Sequence, residues 1–200
     1  MAILTGPEIK RWQAQGDIKV EPWDPSMVGP NSVDLHLGSE LLRYRMYGRE
    51  LMRDPDDGGR WHAIDSARPP DTIPVEQVKG GGWLLLPGRL YLGATVEYTE
   101  TFGFVPYVDG RSSMGRLGLF AHVTAGRGDN GFCGNWTLEL VAVEPLVIYP
   151  GQRIAQLTYH TIEGEPALYG KTGNTSGRYQ GDRTPQGIKV DPRTHHPTRE

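Results

Sequence analysis

The chain has a single cysteine, Cys133, among its 200 residues. That excludes an intramolecular disulfide framework and suits a reducing compartment, where such a thiol ordinarily serves as a small apolar side chain. The Pro-Cys-x-x-Cys and His-x-Glu elements that hold zinc in nucleobase deaminases are both missing, so water activation by that metal site is excluded. His195 and His196 stand in a polar tail without an acidic or thiol ligand at helical or finger spacing, and His36, His62 and His160 read as ordinary surface or core residues. No apolar run approaches the length that crosses a bilayer and no signal peptide opens the chain, so a cytoplasmic protein without a membrane partner is expected. Basic excess is lacking too: 21 Lys and Arg face 24 Asp and Glu, for a net charge of −3. No global field draws in nucleic acid, and any phosphate recognition must be local, which suits a nucleotide better than a polymer.

Glycine and proline are plentiful, at 27 and 16 residues, beside 37% hydrophobic content. One domain rich in short strands and turns follows, with a sizeable core. Thr5 and Glu8 form a capping box, with Leu4 and Ile9 placed as a hydrophobic staple, which predicts a helix from Gly6 to Gln15 stopped by Gly16. Alternation at Val33, Leu35 and Leu37 predicts a strand, and further strands are expected at Trp83–Leu86, Leu90–Val96 and Leu146–Tyr149, punctuated by Pro-Gly turns at 87–88 and 150–151. The stretch Arg53–Pro74 reads as a polar surface excursion. The domain is expected to span 1–186, with 187–200 a polar, mobile tail.

Residues 109–139 hold the most chemistry. Arg111, Ser112, Ser113 and Arg116 lie among Gly110, Gly115 and Gly118, a mixture of charge-assisted donors and accessible backbone N–H groups that can grip an oligophosphate. An Arg-Ser-Ser alone is common and ordinarily only caps a short helix. Asp129 stands in the turn Gly126-Arg127-Gly128-Asp129-Asn130-Gly131, where Asp and Asn are also natural turn formers. Glu139 alternates with Leu138 and Leu140 and shares its strand face with Thr137 and Val141. On a solvated face it is ordinary; on a cleft it is a general-base candidate.

The block Gly110–Leu119, followed by His122-Val123-Thr124-Ala125-Gly126, Asp129, Gly131 and Thr137–Leu140, resembles the dCTP deaminase branch of the trimeric dUTPase superfamily. Ile3-Leu4-Thr5, Ile18–Pro22 and Pro30–Leu35 are similar to the opening of that branch, and Pro150–Leu157, Tyr169-Gly170 and Gly177–Gly181 continue the likeness. The resemblance covers about residues 3 to 186.

The resemblance implies a mainly β, dUTPase-like distorted barrel or jelly roll with a short N-terminal helix, assembled as a homotrimer with sites between subunits. It implies zinc-independent deamination of dCTP to dUTP and ammonia, with Mg²⁺ carried on the triphosphate. Glu139 matches the general base, Ser112 and the Ala125 carbonyl the groups that position water, and Arg116 the cation beside Glu139. Asp129 matches the residue that meets the deoxyribose 3′-hydroxyl and, in bifunctional members, orients water at the α-phosphate. Arg111, Ser112 and Ser113 match the triphosphate segment; Gln156, Tyr169, Arg178 and Gln180 match positions that complete the pocket. Three departures stand out: Gly128 replaces a hydrophobic residue, Asn130 replaces Pro or Ala, which suggests a looser turn, and Asp182 stands where Gln is common. Gly126 resembles the bifunctional branch, which carries dUTP on to dUMP and pyrophosphate, whereas Arg127 resembles monofunctional deaminases. A dUTPase that never deaminates and a catalytically silent nucleotide-binding homologue are the alternatives.

Overall fold

A computed structural model describes residues 2–45, 51–53, 60–62, 64–171 and 177–190. The first helix, α1 (Gly6–Gln15), runs over the predicted residues, and Gly16 ends it at φ 92°, a left-handed conformation that glycine adopts without penalty. The staple residues Leu4 and Ile9 are both buried. The capping box does not close: Thr5 makes no side-chain cap, Glu8 bonds Arg11 instead, and the Gly6 N–H is satisfied by the Pro30 carbonyl at 2.6 Å. Docking against that loop replaces the local cap.

The strands are β1 (Ile18–Glu21), β2 (Val33–Tyr44), β3 (Leu51–Arg53), β4 (Arg60–His62), β5 (Thr72–Pro74), β6 (Trp83–Leu85), β7 (Tyr91–Thr101), β8 (Phe104–Gly110), β9 (Leu119–Phe120), β10 (Cys133–Ala142), β11 (Leu146–Ile148) and β12 (Arg153–Thr161). A four-residue helix, α2 (Ser112–Gly115), separates β8 from β9. The main sheet runs β8-β12-β2-β7-β10-β9, with β1 added on β7 and β5 on β2, and rolls into a nearly closed barrel. The expected mainly β architecture is the one formed. Every pairing is antiparallel, which lets short turns join neighbours. Within the Arg53–Pro74 excursion β4 and β5 form, whereas residues 54–59 and 63 lie outside the described residues.

The core is filled from alternating positions. Val33, Leu35, Leu37, Leu138, Leu140, Ile154 and Leu157 are all fully buried, each contributing about 1.5–3 kcal/mol of burial. Both long strand pairings kink near the middle of β7. Its register against β2 shifts between Leu37 and Leu41, and against β10 between Asn135 and Thr137. At that kink Glu97, 1% exposed, turns inward and accepts from the His36 backbone N–H at 2.8 Å and pairs with its Nδ1 at 2.6 Å. Bulges bend strands and re-aim side chains, and here they bend β10 past the cavity described next. Among the described residues no helix is long and apolar enough to cross a membrane.

Candidate active site

Strand β10 supplies one wall of a cavity of about 500 Å³. Leu138 and Leu140 face the core, while Thr137 and Glu139 are half-buried on the other side and line the cavity. The face left open by the sequence pattern is therefore a cleft.

The turn between β9 and β10 covers one side. Gly126 and Gly128 bring the chain against β8, with Val108 N–H donating to the Gly126 carbonyl at 2.7 Å and Gly128 N–H to Pro106 at 2.8 Å. A Cβ at Gly126 would lie 2.3 Å from the Val108 carbonyl oxygen, so only glycine permits this approach. Ala125, Arg127 and Asp129 consequently reach the cavity. His122, which the sequence pattern did not single out as a site residue, donates from Nε2 to the Ala125 carbonyl at 2.9 Å and also lines the cavity.

Asn130 corrects an expectation. Far from loosening the turn, its buried carboxamide pins it: Oδ1 accepts from Gly103 N–H at 2.7 Å and Nδ2 donates to the Ala167 carbonyl at 2.7 Å. Its own carbonyl accepts from Tyr169 N–H at 2.8 Å, which draws Tyr169 to the cavity beside Phe132 and Trp136.

The C-terminal segment closes the remaining side. Asn135 N–H donates to the Asp182 carbonyl at 2.8 Å and Gly181 N–H to Cys133 at 2.7 Å, while Gln186 N–H reaches Thr137 Oγ1 at 3.2 Å. Tyr179, Asp182, Gln186, Gly187 and Ile188 line the cavity. The tail expected to begin at 187 therefore continues against the barrel to Val190, with Ile188 N–H donating to Tyr44 Oη at 2.9 Å; 191–200, including His195 and His196, lie outside the described residues. Gln180 does not face the cavity. Its side chain ties the segment to the turn, bonding the Gly131 carbonyl at 3.0 Å and Cys133 N–H at 3.2 Å. Arg178 offers its carbonyl to Lys189 Nζ at 2.8 Å. Burial pushes the Cys133 thiol upward from its ordinary pKa, with the charge of Glu100 adding to the effect.

A second cluster lies apart from the cavity. Asp34, 7% exposed, is held by Arg111 Nε at 3.1 Å, Gln156 Nε2 at 3.0 Å and Arg153 Nη1 at 3.4 Å. Ser112 and Ser113 on α2 and Arg116 at its C-cap are exposed, and buried Met114 anchors the helix. None of Arg111, Ser112, Ser113, Arg116 or Gln156 lines the cavity, and among the described residues no ion pair joins Arg116 to Glu139. Within one chain, the cavity holds Ala125, Asp129, Glu139 and Tyr169, a second group around Arg111 and Arg116 lies apart from it, and Arg178 and Gln180 belong to the closing segment without lining the cavity. Of the three carboxylates that line the cavity, Asp182 is bound by Lys189 at 2.7 Å. Glu139 and Asp129 make no side-chain hydrogen bond or ion pair among the described residues.

Sequence and structure comparisons converge. The model of the dCTP deaminase-like family matches residues 3–162. A protein of Cytophaga hutchinsonii named "dCTP deaminase, dUMP-forming" is 49% identical over 179 residues, covering 89% of this chain and 90% of that protein. One of the same name from Leptospira biflexa is 42% identical over 187 residues, covering 94% of this chain and 93% of the relative. Among solved structures, the 2′-deoxycytidine 5′-triphosphate deaminase from Agrobacterium tumefaciens aligns with a TM-score of 0.56 at 25% identity over 84% of this chain. The chain spans about half the length of that protein, 49%.

Proposed function

The chain belongs to the dCTP deaminase-like family, and from that premise we propose that it deaminates dCTP by hydrolysis and carries the product on to dUMP and pyrophosphate. The observation that carries this reading is the pair of carboxylates, Glu139 and Asp129, without side-chain partners among the described residues, in one cavity with Asp182 neutralised beside them. Two positioned carboxylates can serve as separate acceptors for the water protons of two hydrolytic steps. The dUMP-forming names of the relatives support the second step.

In the first step Glu139 takes a proton from water as the oxygen attacks C4 of the cytosine ring and passes that proton to ring nitrogen N3. Glu139 then takes the remaining proton of the C4 hydroxyl and delivers it to the amino group, so that C4=O forms, the C4–N bond breaks and ammonia leaves. The Ala125 carbonyl, oriented by the His122 N–H, accepts from the same water through its second lone pair. Ser112 completes the water site and Arg116 stands against the Glu139 carboxylate, both from a neighbouring copy: α2 does not reach the cavity of its own chain. A homotrimer that apposes the cationic surface of one subunit to the cavity of the next joins the two groups. Arg111 and Ser113 then take the triphosphate, with Gln156 and Arg153 acting through Asp34 to hold Arg111 in place. Tyr169 packs against the nucleotide, and Arg178 and Gln180 hold the closing segment.

In the second step Asp129, which meets the 3′-hydroxyl, orients water toward the α-phosphorus and takes its proton as the new P–O bond forms; the bond from the α-phosphorus to the bridging oxygen breaks and pyrophosphate leaves. Among the described residues no group of three His, Cys, Asp or Glu side chains could cage a metal, and Asp34 is already taken up by cations. These side chains do not fit a protein-held Mg²⁺; Mg²⁺ would come with the nucleotide and offset the charge of its phosphates.

The test is product analysis of the purified protein with dCTP and, separately, dUTP, with Mg²⁺, following ammonia and pyrophosphate. Ammonia, dUMP and pyrophosphate from dCTP are expected. dUTP as the end product would remove the second step, pyrophosphate from dUTP without ammonia from dCTP would make the protein a dUTPase, and no product from either would leave only nucleotide binding.

A further inference from the structure

Trp136 and Gly128 occupy one volume. An ideal Cβ at Gly128 would stand 2.4 Å from Cη2 and 3.3 Å from Cζ2 of the Trp136 indole, with Pro106 Cγ at 2.9 Å. The indole therefore lies where any other residue at 128 would put its side chain. Its opposite end is fixed as well: Nε1 donates to Thr99 Oγ1 at 3.0 Å, and Phe132 packs on its face at 4.9 Å. Trp136 is 7% exposed, and both it and Gly128 line the cavity. A large aromatic side chain held at both ends is a rigid wall, because rotation would break the Thr99 bond and meet the backbone at Gly128.

We infer that Trp136 is the specificity-determining residue of the cavity, a fixed wall that sets the lateral room for a pyrimidine ring, and that Gly128 exists to admit its indole. The inference rests on the proposed pyrimidine-nucleotide substrate and deepens it. Trp136 and Glu139 line the same cavity although three residues apart on β10, the register shift between Asn135 and Thr137 interrupting the alternation between them, so a ring whose reacting carbon meets Glu139 lies in the space that the indole bounds. A rigid wall there discriminates by size, and one misplaced methyl in an apolar pocket changes selectivity about 10- to 200-fold.

The experiment compares wild type, Trp136→Leu, Gly128→Ala and the double variant, each with dCTP and with 5-methyl-dCTP, reading kcat and KM for turnover and Kd by calorimetry. Trp136→Leu is expected to raise the preference for the methylated ring relative to dCTP at least about 10-fold. Gly128→Ala is expected to weaken dCTP at least about 10-fold, chiefly in KM, in wild type and less than about threefold in the Trp136→Leu background, because the clash is gone. Trp136→Phe, which keeps an aromatic wall but loses the Thr99 bond, should bind dCTP with a raised KM and near-normal kcat. Equal losses from Gly128→Ala in both backgrounds would assign the effect to Pro106 and overturn the inference, as would an unchanged 5-methyl preference in Trp136→Leu that still binds dCTP. Because the Kd ratios need no turnover, a wild type that binds these nucleotides without converting them would defeat the proposed activity while leaving this wall tested.

Discussion

Lys189 Nζ sits 2.7 Å from both carboxylate oxygens of Asp182 and 2.8 Å from the Arg178 carbonyl. One ammonium thus clasps two points of the segment that closes the cavity, and it neutralises an acid that would otherwise repel a nucleotide. The pair is partly exposed, at 36% and 16% of the side chains, so its worth is discounted for solvent to about 0.5–1.5 kcal/mol. Lys189→Ala is expected to raise KM for the nucleotide about 2- to 10-fold with a smaller change in kcat. Steady-state kinetics check this, and an unchanged KM would mean that the clasp is not what holds the segment down.

Cys133 reports on the same closure. Its backbone is bonded to Gln180 and Gly181, and burial raises the pKa of its thiol, so less thiolate is present near pH 8 than for a free cysteine. Alkylation by iodoacetamide should be slower than that of a small free thiol at the same pH. Raising the pH should close the gap, since reaction follows the thiolate and the raised pKa shifts its appearance to higher pH. Lys189→Ala should speed labelling at fixed pH; equal rates in the two proteins would show that the segment stays closed without the clasp.

Asn130 ties three chain segments together through Gly103, Ala167 and Tyr169. Asn130→Ala leaves a Gly103 N–H without its partner, a loss of about 1–3 kcal/mol. A fall in Tm of several degrees is expected, about 2–4 °C per kcal/mol for a domain of this size. Asn130→Asp, which keeps the acceptor for Gly103 and loses the donor to Ala167, should fall between the two in a thermal melt. A wild-type melting curve for Asn130→Ala would show that the strap contributes nothing.

Local pattern made the barrel legible: the period-2 burial of Val33, Leu35 and Leu37, and of Leu138 and Leu140, is written in the residue order. The helix bounds were legible from Gly16, but the capping box was not a guide, because a tertiary contact from Pro30 replaced it. Gly126 read as a marker of bifunctional enzymes, yet the Val108 carbonyl already demands glycine there, so that residue alone cannot report on activity. The opposition of Gly128 and Trp136, eight residues apart, depends on strand β10 folding back beneath its own turn. No linear pattern encodes it. The same holds for Arg116 and Glu139, which the resemblance pairs and the single chain keeps apart.

That separation makes the strongest test of a shared site. Glu139→Gln removes the proton acceptor and should lower ammonia release by about 10²- to 10⁴-fold while calorimetry still detects dCTP. Arg116→Ala should also be inactive if, as proposed, its cation stands against the Glu139 carboxylate of the neighbouring subunit. Each variant retains what the other lacks. If sites form between the cavity of one subunit and α2 of the next, unfolding and refolding an equal mixture should rebuild sites with both residues intact, roughly a quarter of them under random reassortment in a ring. Activity should return to that order, and refolding either variant alone should return none. A mixture as inactive as its parts would mean that Arg116 and Glu139 act from the same chain, which would require α2 to leave its present position beside β9.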